Sequence, residues 1–345
     1  MKKLVFLLSA LSLMACNKNE DDEKVVAEKE VSIPAGAFYK SVAVEVPEGQ
    51  KAEVYVGGMK TSEICGPTST EVLVPANAMA VDGLRTVDMS ELAYEVKFIP
   101  FSGTGGDVHT MQSTIAFEDL RENIDGDYND LVVDIWSNME LVSTDEGVTV
   151  KVKWKEITPK AMGAEYDMAF GCKVALFDKT SGKMVAQKDV ILSDDVRKDY
   201  FKGTVGLLNT EKEGLLVETS AVSMYNEDIV TFKRVNKKNV ACHLIYFIDV
   251  VNTGWRHYAV AATETANNSN FDLASLDGEV LGLVANQDVK HALGLYMPSS
   301  LKFAYPIEKM SIFKAYPKFG EWLANPESKI NPFENPVEDN VYKMD

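Results

Sequence analysis

The 345-residue sequence has only 4 cysteines, 4 histidines and 12 prolines, and no surplus of positive charge: 35 Lys and Arg stand against 52 Asp and Glu, a formal net charge of -17. Each scarcity excludes a class of function. With Cys16 set aside, Cys65, Cys172 and Cys242 remain. Three cannot all pair within one chain, so no disulfide framework is expected. There is no Cys-x-x-Cys pair, and no basic neighbourhood is evident to lower a thiol pKa for redox or nucleophilic work. His109, His243, His257 and His291 stand singly, without a spacing such as HExxH, so no transition-metal centre is expected. A Gly-rich phosphate loop and a GxSxG nucleophile elbow are also missing. A chain this acidic offers phosphate no basic patch, which sets nucleic acid aside as a partner and favours cations. No apolar run is long enough to span a bilayer as a helix.

What is present begins at the N-terminus. Lys2 and Lys3 precede an apolar run from Leu4 to Leu13, the layout of a secretory signal over residues 1–15. The run closes on Leu13-Met14-Ala15-Cys16, which resembles the lipobox of bacterial lipoproteins. That resemblance implies acylation of Cys16 and anchoring of the mature chain to a membrane, for which several acyl chains suffice where one is marginal. Asn17-Lys18-Asn19-Glu20-Asp21-Asp22-Glu23-Lys24 has nothing apolar to bury, so residues 16–30 read as a solvated acidic tether. The stretch is also similar to the acidic export signal that lipoproteins of the Bacteroides group carry after the acylated Cys. The implied location is the outer membrane, on the cell surface.

Beyond the tether the pattern is that of an all-β protein. Residues 31–110 are expected to form a small β-rich domain, because Val42, Val44 and Val46 alternate with Ala43 and Glu45, and Tyr94, Val96 and Phe98 alternate with Glu95 and Lys97. A glycine-rich stretch from Phe101 to Asp107 marks the boundary. Residues 111–326 are expected to form an antiparallel β-sandwich and residues 327–345 a C-terminal tail. The clearest strand has Val148, Val150, Val152 and Trp154 on a core face and Thr149, Lys151, Lys153 and Lys155 opposite. Its expected partner is Leu131 to Leu141, across a turn at residues 143–147. Further hairpins are expected at Met168 to Leu192 and at Val240 to Ala262. Helix is expected only near Tyr316 to Leu323.

One segment departs from this pattern. Glu118, Asp119, Asp125, Asp127, Asn129 and Asp130 fall within thirteen residues, and crowded carboxylates repel unless they are solvated or neutralised by a cation. Oxygen ligands at alternate positions, Asp125, Asp127 and Asn129, with Gly126 to ease the turn, suit Ca²⁺. The loop is not an EF-hand, whose sixth and twelfth positions would fall on Asp130 and Trp136. Glu118 and Asp119 are the expected additional ligands, brought back by a short loop over Leu120 to Ile124. The competing reading is an acidic turn whose side chains bond only local backbone N–H groups.

The segment Phe117 to Val133 resembles the FEDL…GDxDYNDLVV signature of the LruC domain and of the related DUF4114 domains, matching it at Phe117, Glu118, Asp119, Leu120 and from Gly126 to Val133. It departs from the signature over Arg121-Glu122-Asn123-Ile124, where the family has a Trp-Pro, and in the single Asp127-Tyr128 step. Near the end, Gly294 to Pro298, Tyr305-Pro306-Ile307-Glu308 and Ala315 to Trp322 resemble the close of the DUF4842 family of Bacteroides lipoproteins. The LruC resemblance implies an exported protein that binds calcium. The expected function is that of a non-enzymatic envelope lipoprotein, with an adhesion role or one in binding a glycan or protein ligand. The alternative is a glycan-active hydrolase using carboxylates of the acidic cluster. Trp154, Trp255 and Trp322 are candidates for a sugar platform, weighed against the commoner fate of burial.

Overall fold

A computed structural model describes residues 39–56, 59–75, 79–80, 93–102, 107–164, 166–178, 180–201, 226–260, 276–283, 290–299, 302–324 and 332–342. The expected signal sequence, the expected lipobox with Cys16 and the expected acidic tether lie outside the described residues.

The first unit is a small pair of sheets. Strands β1 (Tyr39–Val46), β2 (Gln50–Val56), β3 (Met59–Cys65), β4 (Thr68–Pro75), β5 (Met79–Ala80) and β6 (Ala93–Pro100) form a two-stranded β1-β4 sheet and a four-stranded sheet in the order β3-β2-β6-β5. Alternation drives the inner faces together: Val42, Val44 and Val46 meet Ala52, Val54, Val56, Ile64, Val72, Val74 and Tyr94 in one core. On β2 the alternate face carries a buried carboxylate, Glu53, which accepts hydrogen bonds from Tyr55 Oη at 2.7 Å and Lys60 Nζ at 3.2 Å, with Lys51 Nζ at 3.1 Å. Burial pushes this carboxyl up, but the hydrogen bonds from Tyr55, Lys51 and Lys60 outweigh it and bring the pKa down to about 2. A depressed carboxyl stabilises the fold above its unfolded value of 4.5, and that contribution disappears as pH falls toward 2. Acid titration of the folded protein should therefore show a loss on the order of 2 kcal/mol in this window, and Glu53→Gln should flatten it.

The second unit contains β7 (Asp107–Phe117), β8 (Leu131–Thr144), β9 (Gly147–Ala161), β10 (Met168–Asp178), β11 (Met184–Ser193), β12 (Asn226–Lys233), β13 (Val240–Val250), β14 (Trp255–Val260), β15 (Leu281–Leu283), β16 (Lys290–Ala292) and β17 (Gly294–Pro298). Nine of them make one sheet, β11-β10-β13-β14-β17-β7-β8-β9-β12, while β15 and β16 pair separately. Every neighbouring pair in the large sheet is antiparallel except β14-β17. The sheet doubles over on itself, so that β11 and β12, its two ends, come close. Side chains from the two halves fill one core: Trp154 Nε1 on β9 donates to Tyr246 Oη on β13 at 3.2 Å, and Phe117 on β7 meets Phe170 on β10 edge-on at 6.4 Å.

The β8-β9 hairpin closes with Thr144 opposite Gly147, and Val148, Val150, Val152 and Trp154 are completely buried, as their alternation requires. Trp154 is thus a core residue and no part of a sugar platform. Trp136, on the solvent side of β8, is the exposed tryptophan among the described residues, with Lys155 Nζ 4.9 Å from its ring centre. Trp255 is half-buried and the side chain of Trp322 lies outside the described residues.

Two boundaries differ from the expected spans. β7 begins at Asp107 and belongs to the larger sheet, so the change of unit falls between Pro100 and Asp107, at the glycine-rich stretch expected to mark it and a few residues before the nominal end of the 31–110 span. Residues 332–342, within the span expected as a tail, fold back on the sandwich. Phe333 packs against Phe303 at 5.1 Å and Tyr316 at 5.3 Å, and Val341 bridges Pro306. Buried aromatic area explains the return. The expected helix appears as α3 (Pro317–Ala324), preceded by α2 (Ile312–Ala315), and a short α1 (Val196–Phe201) follows β11.

Candidate metal centre

The register of β7 and β8 fixes the acidic segment in space. Phe117 pairs with Leu131, so the connection from Glu118 to Asp130 must leave and return at the same point of the sheet. Its two ends meet directly: Asp119 N donates to Asp130 Oδ2 at 2.7 Å. Between them the chain makes a tight reversal, with Asn123, Gly126 and Tyr128 in the left-handed region at φ 57°, 74° and 54°. Tyr128 anchors the turn. Its ring is completely buried, its hydroxyl donates to the carbonyl of Ala292, and its N–H donates to Glu118 Oε1 at 2.7 Å. Ile124, Leu293, Leu120 and Phe313 form a small apolar cluster beneath the other limb.

The result is that Glu118, Asp125 and Asp127 each place a carboxylate oxygen within 4.8 Å of the other two. Glu118 and Asp127 are 1% exposed and Asp125 is half-buried. Burial, then the charges of Asp127 and Asp125, push the Glu118 carboxyl well above the usual carboxylate range. Burial, then Asp125 and Glu308, do the same to Asp127. Burial raises Asp125 as well. Three carboxylates cannot all stay ionised at this spacing in a dry site without a compensating positive charge.

The remaining expected ligands are placed differently. Asp130 is turned to the backbone of Asp119 and is raised by burial and by the charges of Asp119 and Glu118. Asp119 and Asp130 stand outside the trio. Asn129 is completely buried; its Nδ2 donates to the carbonyl of Pro306 at 3.2 Å, and its Oδ1 has no hydrogen-bond partner. An orphaned buried acceptor beside a carboxylate trio, in an all-oxygen set, fits a hard cation better than a soft one. Held there, the ion would supply positive charge that neutralises the trio.

Some contributors were not visible in the local sequence. His257, on β14, is buried and its Nδ1 lies 2.7 Å from the carbonyl oxygen of Glu118. Lys309 N donates to Asp127 Oδ2 at 2.7 Å, and Ile312 N donates to the carbonyl of Gly126 at 2.7 Å. Both lie about 180 residues downstream, so no spacing in the acidic segment could announce them. His243 is half-buried in β13, where desolvation lowers its pKa to about 4. The side chains of His109 and His291 lie outside the described residues.

Among solved structures the chain is similar to one described as a putative lipoprotein from Bacteroides ovatus, with 12% identity over 88% of this chain and 93% of that one and a TM-score of 0.36. That likeness is too loose to support an argument. No curated protein matches the chain. The model of the family described as a domain of unknown function, DUF4842, matches residues 147–329, more than half of the chain. The matched span holds β9 to α3 and Glu308, and begins after the acidic turn; a relation to LruC or DUF4114 domains is not shown by it. By this match the chain belongs to the DUF4842 family.

Proposed function

We propose that this protein is a non-enzymatic lipoprotein of the outer membrane, anchored through Cys16 and displayed on the cell surface, in which one Ca²⁺ stiffens a β-sandwich that serves adhesion or the binding of a glycan or protein ligand. The observation that carries the metal reading is the trio of Glu118, Asp125 and Asp127 within 4.8 Å, with Glu118 and Asp127 buried and Asp125 half-buried. Asn129, and Asp119 or Asp130 after a side-chain rotation, would complete an oxygen shell of six to eight ligands. In this reading the ion positions the β7-β8 turn and takes no part in a reaction.

The deep burial of Glu118 and Asp127 argues against the hydrolase alternative, since a general acid and base must flank a sugar that has room to enter. A screen of polysaccharides tests this: turnover by wild type that Glu118→Gln abolishes would establish the enzyme reading in its place.

The anchor has its own test. No helix among the described residues is long and apolar enough to cross a membrane. Cys16→Ala is therefore expected to move the protein from the membrane to the soluble fraction on cell fractionation. Full retention in the membrane would overturn the anchor. Digestion by added protease on intact cells is expected for the surface-displayed wild type, and complete protection would contradict surface display.

A further inference from the structure

The acidic turn is not closed by its own strands. Its second wall is the segment that follows β17, where three hydrogen bonds cross from one to the other: Lys309 N to Asp127 Oδ2, Ile312 N to the carbonyl of Gly126, and Asn129 Nδ2 to the carbonyl of Pro306. Between Pro306 and Lys309 sits Glu308, whose side chain is 18% exposed and whose charge adds to those acting on Asp127. This wall is held in turn by the last described residues. Ile307 N donates to the carbonyl of Asn340 at 3.0 Å, Tyr342 N to that of Tyr305 at 3.0 Å, and the rings of Tyr305 and Tyr342 lie 4.9 Å apart.

We infer that Glu308 is a further ligand of the cation, so that the ion bridges the β7-β8 turn and the C-terminal wrap, residues 302–324 and 332–342, and its binding sets how firmly that wrap is docked. This inference rests on the metal reading above. One observation bears on Glu308 and a second on the place of the site. The backbone N–H of Lys309 bonds Asp127 Oδ2, so the backbone of Glu308 borders the turn, and its carboxylate, 3.9 Å from Lys309 Nζ, is close enough for its charge to act on Asp127. The amide of Asn129 is pinned to the wrap by Nδ2 while its buried Oδ1 lacks a partner, so an acceptor is left over where turn and wrap meet.

The electrostatics give the coupling its sign. Without a cation, the negative charge of Glu308 opposes docking against a negative turn; with one, the same charge favours it. Linkage then requires that a docked wrap binds the ion more tightly by the factor by which the ion favours docking.

The test uses the mature full-length chain, freed of metal with chelator and titrated with CaCl₂ by calorimetry, and followed by hydrogen–deuterium exchange with and without Ca²⁺. Calcium is expected to slow exchange both in residues 118–130 and in the wrap. Glu308→Gln, checked for folding by circular dichroism, is expected to weaken calcium binding by about threefold or more, and Glu308→Asp to recover part of the loss. Calcium binding that slows exchange in residues 118–130 alone, or a Glu308→Gln affinity within about threefold of wild type, would overturn the inference and leave the metal reading standing. No calorimetric binding at all would remove the metal reading itself.

Discussion

Val152→Asp is expected to cost more than about 4 kcal/mol and to leave the larger unit unfolded at growth temperatures, whereas Lys151→Glu one residue away should change stability by about 0.5 kcal/mol. Val152 is completely buried and pairs with Met139 on β8, which is buried too. A carboxylate there has no partner and no water. Lys151 is half-exposed beside Glu140, with Nζ to Oε2 at 3.3 Å, and surface pairs of this kind are worth little. Its reversal places two glutamates side by side at a cost of a few tenths of a kcal/mol. Urea unfolding of the two variants measures the contrast, and equal midpoints would refute the assignment of faces on β9.

Glu118→Gln should change stability in opposite directions in calcium and in chelator. The substitution keeps Oε1 for the N–H of Tyr128 and replaces the other carboxylate oxygen by an amide NH₂, which repels a cation. With saturating calcium the variant should lose a ligand and bind at least about tenfold more weakly, a deficit near 1.4 kcal/mol. In chelator it should be more stable than wild type, because a buried carboxyl that must either carry charge beside Asp127 and Asp125 or take up a proton is gone. The pH dependence follows the same sign. Raised carboxyls hold protons in the folded state that the unfolded chain, with an ordinary glutamate value of 4.5, has already released. Stability in chelator should therefore fall as pH rises above that value toward the raised pKa of the folded protein. Added calcium should remove that fall.

The sheet was legible where one face meets core and the other water. Val148 to Trp154 and Val42 to Val46 announce their faces through alternation alone, and the Thr144-Gly147 reversal is carried by a glycine at φ 154°, where a Cβ would collide with the carbonyl oxygen of Phe232. The acidic turn was legible because its oxygens are consecutive in the chain. Which of them converge was not. The choice of Glu118 over Asp119 depends on where β7 ends relative to β8, and the turn holds Glu118 through the N–H of Tyr128, whose left-handed backbone no spacing rule predicts.

Long-range closure was also hidden. The parallel pairing of β14 with β17 joins residues 259–260 to 294–295, with no local turn signal between them. Phe333, Val341 and Tyr342 sit in a stretch rich in Pro, Asn and Glu with no hydrophobic period, so the residues that return to the sandwich looked like a tail. Their burial depends on Phe303, Tyr305 and Tyr316, and becomes apparent only once the sandwich supplies a surface.

Thermal unfolding of wild type with calcium and with chelator tests the central claim most directly. An ion that binds only the folded chain, present at about a hundred times its dissociation constant, adds on the order of 2.7 kcal/mol, and Mg²⁺, which resists dehydration, should add less. The account predicts a higher melting temperature in calcium than in chelator, with magnesium between the two. Superimposable melting curves in calcium and chelator would contradict it, and would leave Glu118, Asp125 and Asp127 as a buried acidic turn that meets its charge by taking up protons.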